Sequence, residues 1–274
     1  MRPDAMGSSG PCVPLQSDLL SDLPRIRHGV TKRVPGTGTD DGNLGYGAPR
    51  DRDAAWSSRQ RWAAAMGIDA DVIVTCSQVH GASVLRIETG HAGHGARPDS
   101  ASAGPADALM TSSPGVALLT LHADCAPILL VDPVGPAIAA IHAGWRGTVA
   151  DIAGATVKQM HHQFGSDPRR IRAFIGPAIG PCCYQVGWEV LAAWHEHADL
   201  DTAAAVAGGR HFDLPLANQL QLCRAGLAVD NIEQADVCTR CQEHEWFSHR
   251  AQGPLTGRFG ALIAIEASPD RDGN

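Results

Sequence analysis

The sequence lacks an excess of positive charge and has no long apolar run. Its 274 residues carry 22 Lys and Arg against 29 Asp and Glu, which gives a net charge of −7 and an isoelectric point of about 6.0. This balance argues against a protein that binds nucleic acid through a basic surface. No apolar run reaches the roughly 18 residues that a membrane-spanning helix needs, and the longest tract, 116–131, contains polar side chains. We therefore expect neither a nucleic-acid partner nor a membrane segment.

The N-terminal segment also lacks the pattern of a secretory signal, because no basic stretch is followed by an apolar one. It is polar and contains Pro, Gly and Ser, so we predict a flexible tail over residues 1–25 and a cytoplasmic location. The eight Cys are about 3% of the 274 residues, well below the roughly 8–10% of a disulfide scaffold. In a cytoplasm these thiols are kept reduced. The eight Cys and 13 His must therefore be divided between metal binding, catalysis and packing.

Several catalytic motifs are absent as well. The sequence has no Walker A, Gly-x-Gly-x-x-Gly or Gly-x-Ser-x-Gly segment. A zinc cytidine deaminase needs a His-x-Glu and a Pro before its CxxC, and neither is found. One His-x-His pair, His195 and His197, is too few for a blue multicopper oxidase, which needs several such pairs.

Hydrophobic patterning predicts an alternation of strands and helices. Apolar runs bounded by turn residues predict strands at 72–78, 83–87, 116–121, 128–131, 137–141, 172–175, 232–237 and 261–266, with a tight turn at Gly81 between the first two. Helix-like segments are predicted at 52–66, 148–164, 187–197 and 214–227. Short turns, such as 132–135, join some strands, so we predict an α/β fold with a mixed sheet. Because no repeat or linker is visible, we expect a single domain over residues 26–268.

Three segments, 77–81, 122–127 and 141–147, place a metal-capable side chain where an apolar strand gives way to a loop. They contribute His80, Cys125 and His142, and stiff strand ends hold such ligands in fixed geometry. Three N and S ligands are the number that a catalytic zinc site uses while leaving a fourth position for water, which the metal then activates as a nucleophile. The alternative is that the two histidines are satisfied by the protein and the cysteine is a small buried hydrophobe.

The remaining chemistry-bearing cysteines lie near the C-terminal third of the chain. Cys238 and Cys241 form a CxxC, with His244 three residues later, which indicates half of a zinc knuckle, a redox pair, or structural cysteines beside a site. Cys182 and Cys183 are adjacent and lack the spacing of a second ligand pair, so a zinc ribbon is not predicted. A reactive thiol there remains an alternative, and we expect the four cysteines to line or support the pocket.

Arginines in Gly-rich contexts are candidate anion-binding residues. Arg33, Arg146 and Arg250 are the candidates that we select, because a guanidinium matches phosphate and carboxylate oxygens with two parallel hydrogen bonds. The alternative for each is an ordinary surface ion pair.

The order of these motifs resembles one family. The matching pieces are Ser-Gln-Val-His-Gly at 77–81, Ala-Asp-Ala-Leu-Met-Thr at 106–111, Ala-Asp-Cys-Ala-Pro at 123–127, His-Ala-Gly-Trp-Arg-Gly at 142–147, Ile-Gly-Pro-Ala-Ile-Gly-Pro-Cys-Cys-Tyr at 175–184, Phe-Asp-Leu at 212–214, Cys-Thr-Arg-Cys at 238–241, Phe-Ser-His-Arg at 247–250 and Thr-Gly-Arg at 256–258. Together they are similar to the YfiH/DUF152 family, from about residue 27 to residue 265. One departure is the segment 31–37, where Arg33 matches the family but its Gly-Gly and Ser do not.

The resemblance implies a fold, a metal and an activity. The fold would be a layered α/β sandwich, also seen in a bacterial toxin with a Cys–His catalytic pair. Zinc would be held by His80, Cys125 and His142, with copper as the alternative metal and His122 as an extra candidate ligand. The family acts on purine nucleosides, with phosphorolysis of adenosine, inosine, guanosine and methylthioadenosine and deamination of adenosine. We therefore expect nucleosides and phosphate as partners, and a monomer or homodimer.

Three other functions stay open from the sequence. One is a copper-dependent phenol oxidase, after the activity for which the family was named. Another is an amide hydrolase acting on peptidoglycan precursors, with Cys125 as nucleophile and His142 as base. The third is a metal-stabilised binding protein without catalysis.

Overall fold

The computed structural model describes residues 12–36, 41–197 and 200–266. Within these residues the strands are β1 (Ile26–Val30), β2 (Ile73–Thr75), β3 (Val84–Arg86), β4 (Ala108–Thr111), β5 (Ala117–His122), β6 (Ala126–Asp132), β7 (Ala137–Ala143), β8 (Arg172–Ile175), β9 (Val206–Ala207), β10 (His211–Phe212), β11 (Ile232–Gln234) and β12 (Phe259–Ile265). The helices are α1 (Asp18–Ser21), α2 (Arg52–Ala65), α3 (Trp145–Val149), α4 (Ile152–Phe164), α5 (Trp188–His195), α6 (Leu214–Arg224) and α7 (His249–Gln252), with single 3-10 turns at Ala70–Val72, Thr89–His91 and Val229–Asn231.

Two sheets form the centre of the molecule. One has four strands in the order β1-β12-β5-β2, and the other has six in the order β11-β8-β6-β7-β4-β3. Parallel pairs (β2 with β5, β3 with β4, β8 with β11) stand beside antiparallel ones, of which the β6–β7 hairpin is the longest. The prediction of a single-domain α/β fold with mixed sheets is confirmed.

Alternating side chains on the strands build the layers. In β7, Ile138 and Ala140 pack between the two sheets, whereas Ala139 and Ile141 face the helices on the other side. Trp62 of α2 covers the outer face of the four-stranded sheet. Each fully buried Leu, Ile or Val contributes about 1.5–3 kcal/mol, so the shared interior fixes the two sheets against each other in a four-layer sandwich.

The chain crosses between the two sheets three times before β7, and two of these links matter for the side chains described below. The link from β5 to β6 is only residues 123–125, and Asp124 turns it with a left-handed backbone (φ 81°). The longer link from β2 to β3 contains His80, which is also left-handed (φ 59°). The predicted tight turn at Gly81 therefore does not make a hairpin, because the strands on its two sides belong to different sheets.

The structure corrects the predicted flexible tail over residues 12–25. Leu15 and Val30 exchange two backbone hydrogen bonds (2.9 and 2.8 Å), and Ser17 caps α1. Leu20 is fully buried in the core between the sheets, so its apolar surface anchors a segment whose polar composition pointed to a loose chain. Residues 1–11 of the predicted tail lie outside the described residues.

One predicted helix needs correction, and some strands were missed. The helix predicted at 148–164 is divided into α3 and α4, because Asp151 adopts a left-handed backbone (φ 59°) and its side chain caps α4 at Gly154. Strands β1, β4, β9 and β10 were not predicted. Within the described part of the chain, no helix combines the length and the apolar character needed to cross a membrane.

Candidate active site

Three of the predicted residues meet where the chain crosses between the sheets. His80 lies in the link from β2 to β3, Cys125 ends the link from β5 to β6, and His142 lies near the end of β7. One donor atom from each lies within 4.8 Å of the other two. His80 is exposed, Cys125 is half-buried and His142 is 3% exposed, so the cluster has a protein side and an open side.

Two glycines at the start of α3, the N-cap Gly144 and Gly147, let these groups approach. A Cβ on Gly144 would lie 3.0 Å from Cys125 Sγ and 3.3 Å from His80 Cδ2. A Cβ on Gly147 would lie 2.8 Å from the carbonyl oxygen of Gly81. The glycines of the His-Ala-Gly-Trp-Arg-Gly segment therefore serve close packing of α3 against the His80 loop.

Asp107 holds two of the three side chains in place. Its fully buried carboxylate accepts a 2.8 Å hydrogen bond from His142 Nδ1. It also accepts hydrogen bonds from the backbone N–H groups of Val79, His80 and Gly81 (3.2, 3.0 and 2.7 Å). This fixes the orientation of the imidazole and leaves Nε2 of His142 for the cluster, as a carboxylate does behind many metal-ligating histidines.

The charges of the cluster favour a thiolate beside an imidazolium. Burial by itself raises the pKa of Cys125, but the charge of His142 and hydrogen bonds from His142 and His80 lower it to about 6. Burial likewise lowers the pKa of His142, but the Cys125 thiolate and the hydrogen bond to Asp107 raise it to about 9. The thiolate is the form of cysteine that binds metals and attacks carbon.

The cluster lies at the wall of a cavity of about 960 Å³. Arg146 and Arg250 both line it. Arg146 lies with its guanidinium 4.3 Å from the Trp145 ring centre, and within the described residues it makes no hydrogen bond or ion pair through that group. Arg250 stacks on Tyr184 (5.3 Å) and donates to the carbonyl oxygen of Gln185 (3.2 Å). Two cations are thus available to an anion in this cavity.

The third predicted arginine is not brought to this cavity. Arg33 lines a separate cavity of about 320 Å³, where it forms a 2.7 Å ion pair with Asp41 and donates to the carbonyl oxygen of Glu243. Its guanidinium is therefore engaged by the protein, away from His80, Cys125 and His142.

His122 does not join the cluster either. It is 1% exposed, and both ring nitrogens contact protein oxygens: Nδ1 lies 3.1 Å from the carbonyl of Cys125 and Nε2 lies 2.9 Å from Thr120 Oγ1. Burial and the charge of His142 hold its pKa well below the usual value, so His122 is a neutral supporting side chain.

The donor set fits a zinc ion. Two imidazoles and one thiolate are ligand types that zinc prefers, they lie within 4.8 Å of one another, and the exposed side at His80 leaves room for a further ligand. The buried carboxylate of Asp107 behind His142 supplies the hydrogen bond that such a ligand requires.

The sequence analysis gave no role to Asp107 and Asp124, which hold the cluster and its surroundings by hydrogen bonds. Asp124 accepts hydrogen bonds from Thr239 Oγ1 (2.7 Å) and the Arg250 N–H (2.6 Å), so it fastens the Arg250 segment beside Cys125. The available signal was a charged residue inside an apolar run, Ala-Asp-Ala and Ala-Asp-Cys, since a buried carboxylate must have partners.

Comparisons with known proteins agree over most of the chain. The model of the family described as multi-copper polyphenol oxidoreductase laccase matches residues 27–266. Purine nucleoside phosphorylase YlmD of Geobacillus stearothermophilus is 36% identical over 225 residues, which are 81% of this chain and 82% of that protein. Adenosine deaminase RL5, from an unknown prokaryotic organism, is 36% identical over 197 residues, 70% of this chain and 75% of that protein. The solved structure of the YfiH protein of Bacillus licheniformis matches with a TM-score of 0.84 at 30% identity, covering 88% of this chain and 93% of that one.

Proposed function

The chain belongs to the family described as multi-copper polyphenol oxidoreductase laccase, and from this premise we propose that it is a zinc-dependent enzyme acting on purine nucleosides. The proposed reactions are phosphorolysis of adenosine, inosine, guanosine and methylthioadenosine, and deamination of adenosine. The observation that carries the proposal is the His80–Cys125–His142 cluster at the wall of a 960 Å³ cavity that also presents arginine. Relatives over most of the chain are named for these two activities.

The side chains of the cavity have separate roles in this proposal. His80, Cys125 and His142 would hold zinc, which when bound supplies Lewis acidity toward an oxygen in the cavity. Asp107 keeps His142 in one tautomer through its 2.8 Å hydrogen bond. Arg146 and Arg250 neutralise phosphate, and the uncommitted guanidinium of Arg146 is the stronger candidate because binding it costs no protein hydrogen bond.

Phosphorolysis in this cavity needs a phosphate oxygen placed at the sugar carbon that carries the base. The new C–O bond forms as the bond to the purine nitrogen breaks, and the departing base takes up a proton. Positive charge develops on the sugar in the transition state, so the phosphate held by Arg146 both attacks and stabilises that charge. The arginines therefore set the affinity for phosphate and its alignment.

The test measures phosphate-dependent release of base from inosine, adenosine, guanosine and methylthioadenosine, together with ammonia release from adenosine and the zinc content of the purified protein. We expect activity in protein that contains zinc, and its loss together with the metal of this site in Cys125→Ala. Cys223→Ala is the matched control, because Cys223 lies on α6 and outside the residues that line the cavity. Cys125→Ala that keeps both the metal and the phosphorolysis would overturn the proposal. The same protein reloaded with copper and given a phenol tests the alternative metal by oxygen uptake.

One specific observation favours a second candidate, an amide hydrolase acting on peptidoglycan fragments. Asp107, His142 and Cys125 form a chain of hydrogen bonds in which a carboxylate orients a histidine that activates a thiol. The lowered pKa of Cys125 and the raised pKa of His142 suit such a nucleophile and base.

This candidate predicts a thioester between substrate and Cys125. Incubation of the metal-free protein with peptidoglycan peptides, followed by mass spectrometry, would detect it on the peptide that contains residue 125. Turnover of nucleosides without any such adduct would leave the purine nucleoside enzyme as the sole function of the cluster.

A further inference from the structure

Four cysteines form a second cluster on loops beyond the ends of two neighbouring strands. Cys182 and Cys183 follow β8, and Cys238 and Cys241 follow β11. Their sulfur atoms all lie within 4.8 Å of one another. All four are free thiols. The Cys182–Cys183 pair and the Cys238–Cys241 pair are separated by more than fifty residues of sequence. Sheet topology explains the meeting, because β8 and β11 are parallel neighbours and their loops leave the same edge.

The spacing of the sulfurs matches the shell of a tetrahedral metal ion. Zinc–sulfur bonds of about 2.3 Å in a tetrahedron place the sulfurs about 3.8 Å apart. Cys241 Sγ lies 3.6 Å from Cys182 Sγ and 3.4 Å from Cys183 Sγ. These two distances are close to the separation that a bound zinc would impose, and all four sulfurs lie within 4.8 Å of one another.

The surrounding backbone and charges suit thiolates. The N–H of Gly180 donates to Cys238 Sγ (3.3 Å), and Arg240 Nη1 donates to Cys183 Sγ (3.6 Å). A Cβ on Gly180 would lie 3.3 Å from Cys238 Cβ and 3.5 Å from Cys182 Sγ, so a side chain there would crowd the cluster. Hydrogen bonds and a nearby cation lower the cost of collecting several negative sulfurs in one place.

We propose that Cys182, Cys183, Cys238 and Cys241 form a second zinc site, separate from the cluster in the cavity. Four sulfur ligands complete the coordination of zinc and leave no position for substrate, so the site is structural. One metal ion would thus cross-link the loop after β8 to the loop after β11. This assignment does not depend on the reaction that the cavity catalyses.

The site would hold one wall of the cavity. Tyr184 directly follows the Cys182–Cys183 pair and lines the cavity. Arg250 follows the CxxC segment and donates to the carbonyl oxygen of Cys183 (3.4 Å) and to that of Gln185. Thr239, inside the CxxC, donates to Asp124 next to Cys125. Zinc at the four sulfurs would therefore fix the positions of Tyr184 and Arg250.

The first experiment needs no substitution. Full-length protein purified in the presence of zinc is measured for zinc per chain and for its sulfur ligands by X-ray absorption. We expect two zinc ions per chain and, averaged over both sites, about 2.5 sulfurs per zinc at about 2.3 Å, against one sulfur for the cavity site alone. One zinc with a single sulfur ligand, or no bound zinc, would overturn the proposal.

Substitutions then separate the two sites. Cys241→Ser and Cys182→Ser should each lose one zinc and keep the other, whereas Cys125→Ser should retain one zinc with an all-sulfur shell. Cys223→Ser is the matched control and should keep both. Zinc content unchanged in Cys241→Ser and Cys182→Ser, or a disulfide between any two of the four cysteines in protein purified without oxidant, would refute the site. Loss of activity in Cys125→Ser with the all-sulfur zinc retained would support two separate sites, because a failure of the cavity site then leaves the four-cysteine site intact.

Discussion

The two thiol-containing clusters differ in what holds their donors. The cluster in the cavity is carried by links between packed strands, and the buried carboxylate of Asp107 orients it. The four-cysteine cluster lies on loops, with Cys182 and Cys241 exposed to solvent. The first cluster has three donors and an open side, and the second has four sulfurs within 4.8 Å of one another. The difference indicates that packed strands position the donors of the first cluster, whereas the proposed zinc would order the loops that carry the second.

The largest effect should come from removing the thiol of the cavity cluster, with Cys223 outside both clusters as the control. Cys125→Ala should lower kcat/KM by more than the roughly 10–100-fold that loss of a supporting hydrogen bond costs, because it removes a proposed metal donor. Cys223→Ala should stay near the unsubstituted value. Steady-state phosphorolysis of inosine measures both, and circular dichroism checks that the fold is kept. Equal losses in the two variants would mean that the thiol matters only for folding.

Asp107→Asn tests whether rigid support defines the cavity cluster. The substitution weakens the hydrogen bond to His142 Nδ1, so metal affinity or activity should fall about 10–100-fold. Asp132→Asn is the control, because Asp132 is also buried but accepts from Val134 in the β6–β7 turn. Zinc titration against a competing chelator gives the affinity. An Asp107→Asn protein with unchanged zinc affinity and unchanged turnover would show that the carboxylate does not position the cluster.

Arg146→Gln tests the open side of the cavity cluster. A hydrogen bond to a charged group contributes about 1.5–3 kcal/mol, so the KM for phosphate should rise by about tenfold or more while zinc content stays constant. Arg33→Gln should leave that KM unchanged, because Arg33 is paired with Asp41 outside this cavity. Phosphate titrations at saturating inosine measure both values. A larger effect from Arg33 than from Arg146 would reverse the assignment.

The smallest expected effect on catalysis comes from the four-cysteine cluster. Cys241→Ser should raise the KM for nucleoside modestly with little change in kcat, because Tyr184 and Arg250 lose a fixed position but the donors in the cavity remain. Its loops should also exchange amide hydrogens faster. Hydrogen exchange at 176–185 and 236–250 and nucleoside titrations provide the readouts. A loss of kcat as large as that of Cys125→Ala would contradict the separation of the two clusters.

The sequence allowed the local elements and the family to be predicted, because they depend on neighbours in the chain. Strand β8 has the predicted bounds of 172–175, and His80, Cys125 and His142 were selected from strand ends and motif order. The division of the strands into two sheets could not be predicted, since an apolar run does not tell which sheet receives it. For the same reason, the proximity of Cys182 and Cys241 could not be predicted, because it depends on β8 lying beside β11.

The sequence analysis also missed residues whose hydrogen-bond partners are distant in the chain. Asp107 contacts the backbone near residue 80 and the side chain of His142. Its role could not be predicted, because these partners approach Asp107 only once the strands have assembled into sheets. Residues 12–25 were predicted as a tail from composition, yet Leu20 and Leu23 are buried in the core, which composition does not reveal.

The short link between β5 and β6 makes the spacing of the layers part of the chemistry. Packed sheets lie about 10 Å apart, and the four Cα–Cα steps from residue 122 to residue 126 span at most about 14 Å. Because Asp124 also turns the chain here, residues 123–125 leave little spare length between the sheets. Cys125 ends this link while the sheets keep their distance through side chains such as Ile138 and Ile263. The side chains packed between the sheets thus help to fix the distance between Cys125 Sγ and the two imidazoles. If the cluster binds zinc as proposed, a change of side-chain volume between the sheets would alter metal affinity without touching any of the three donors.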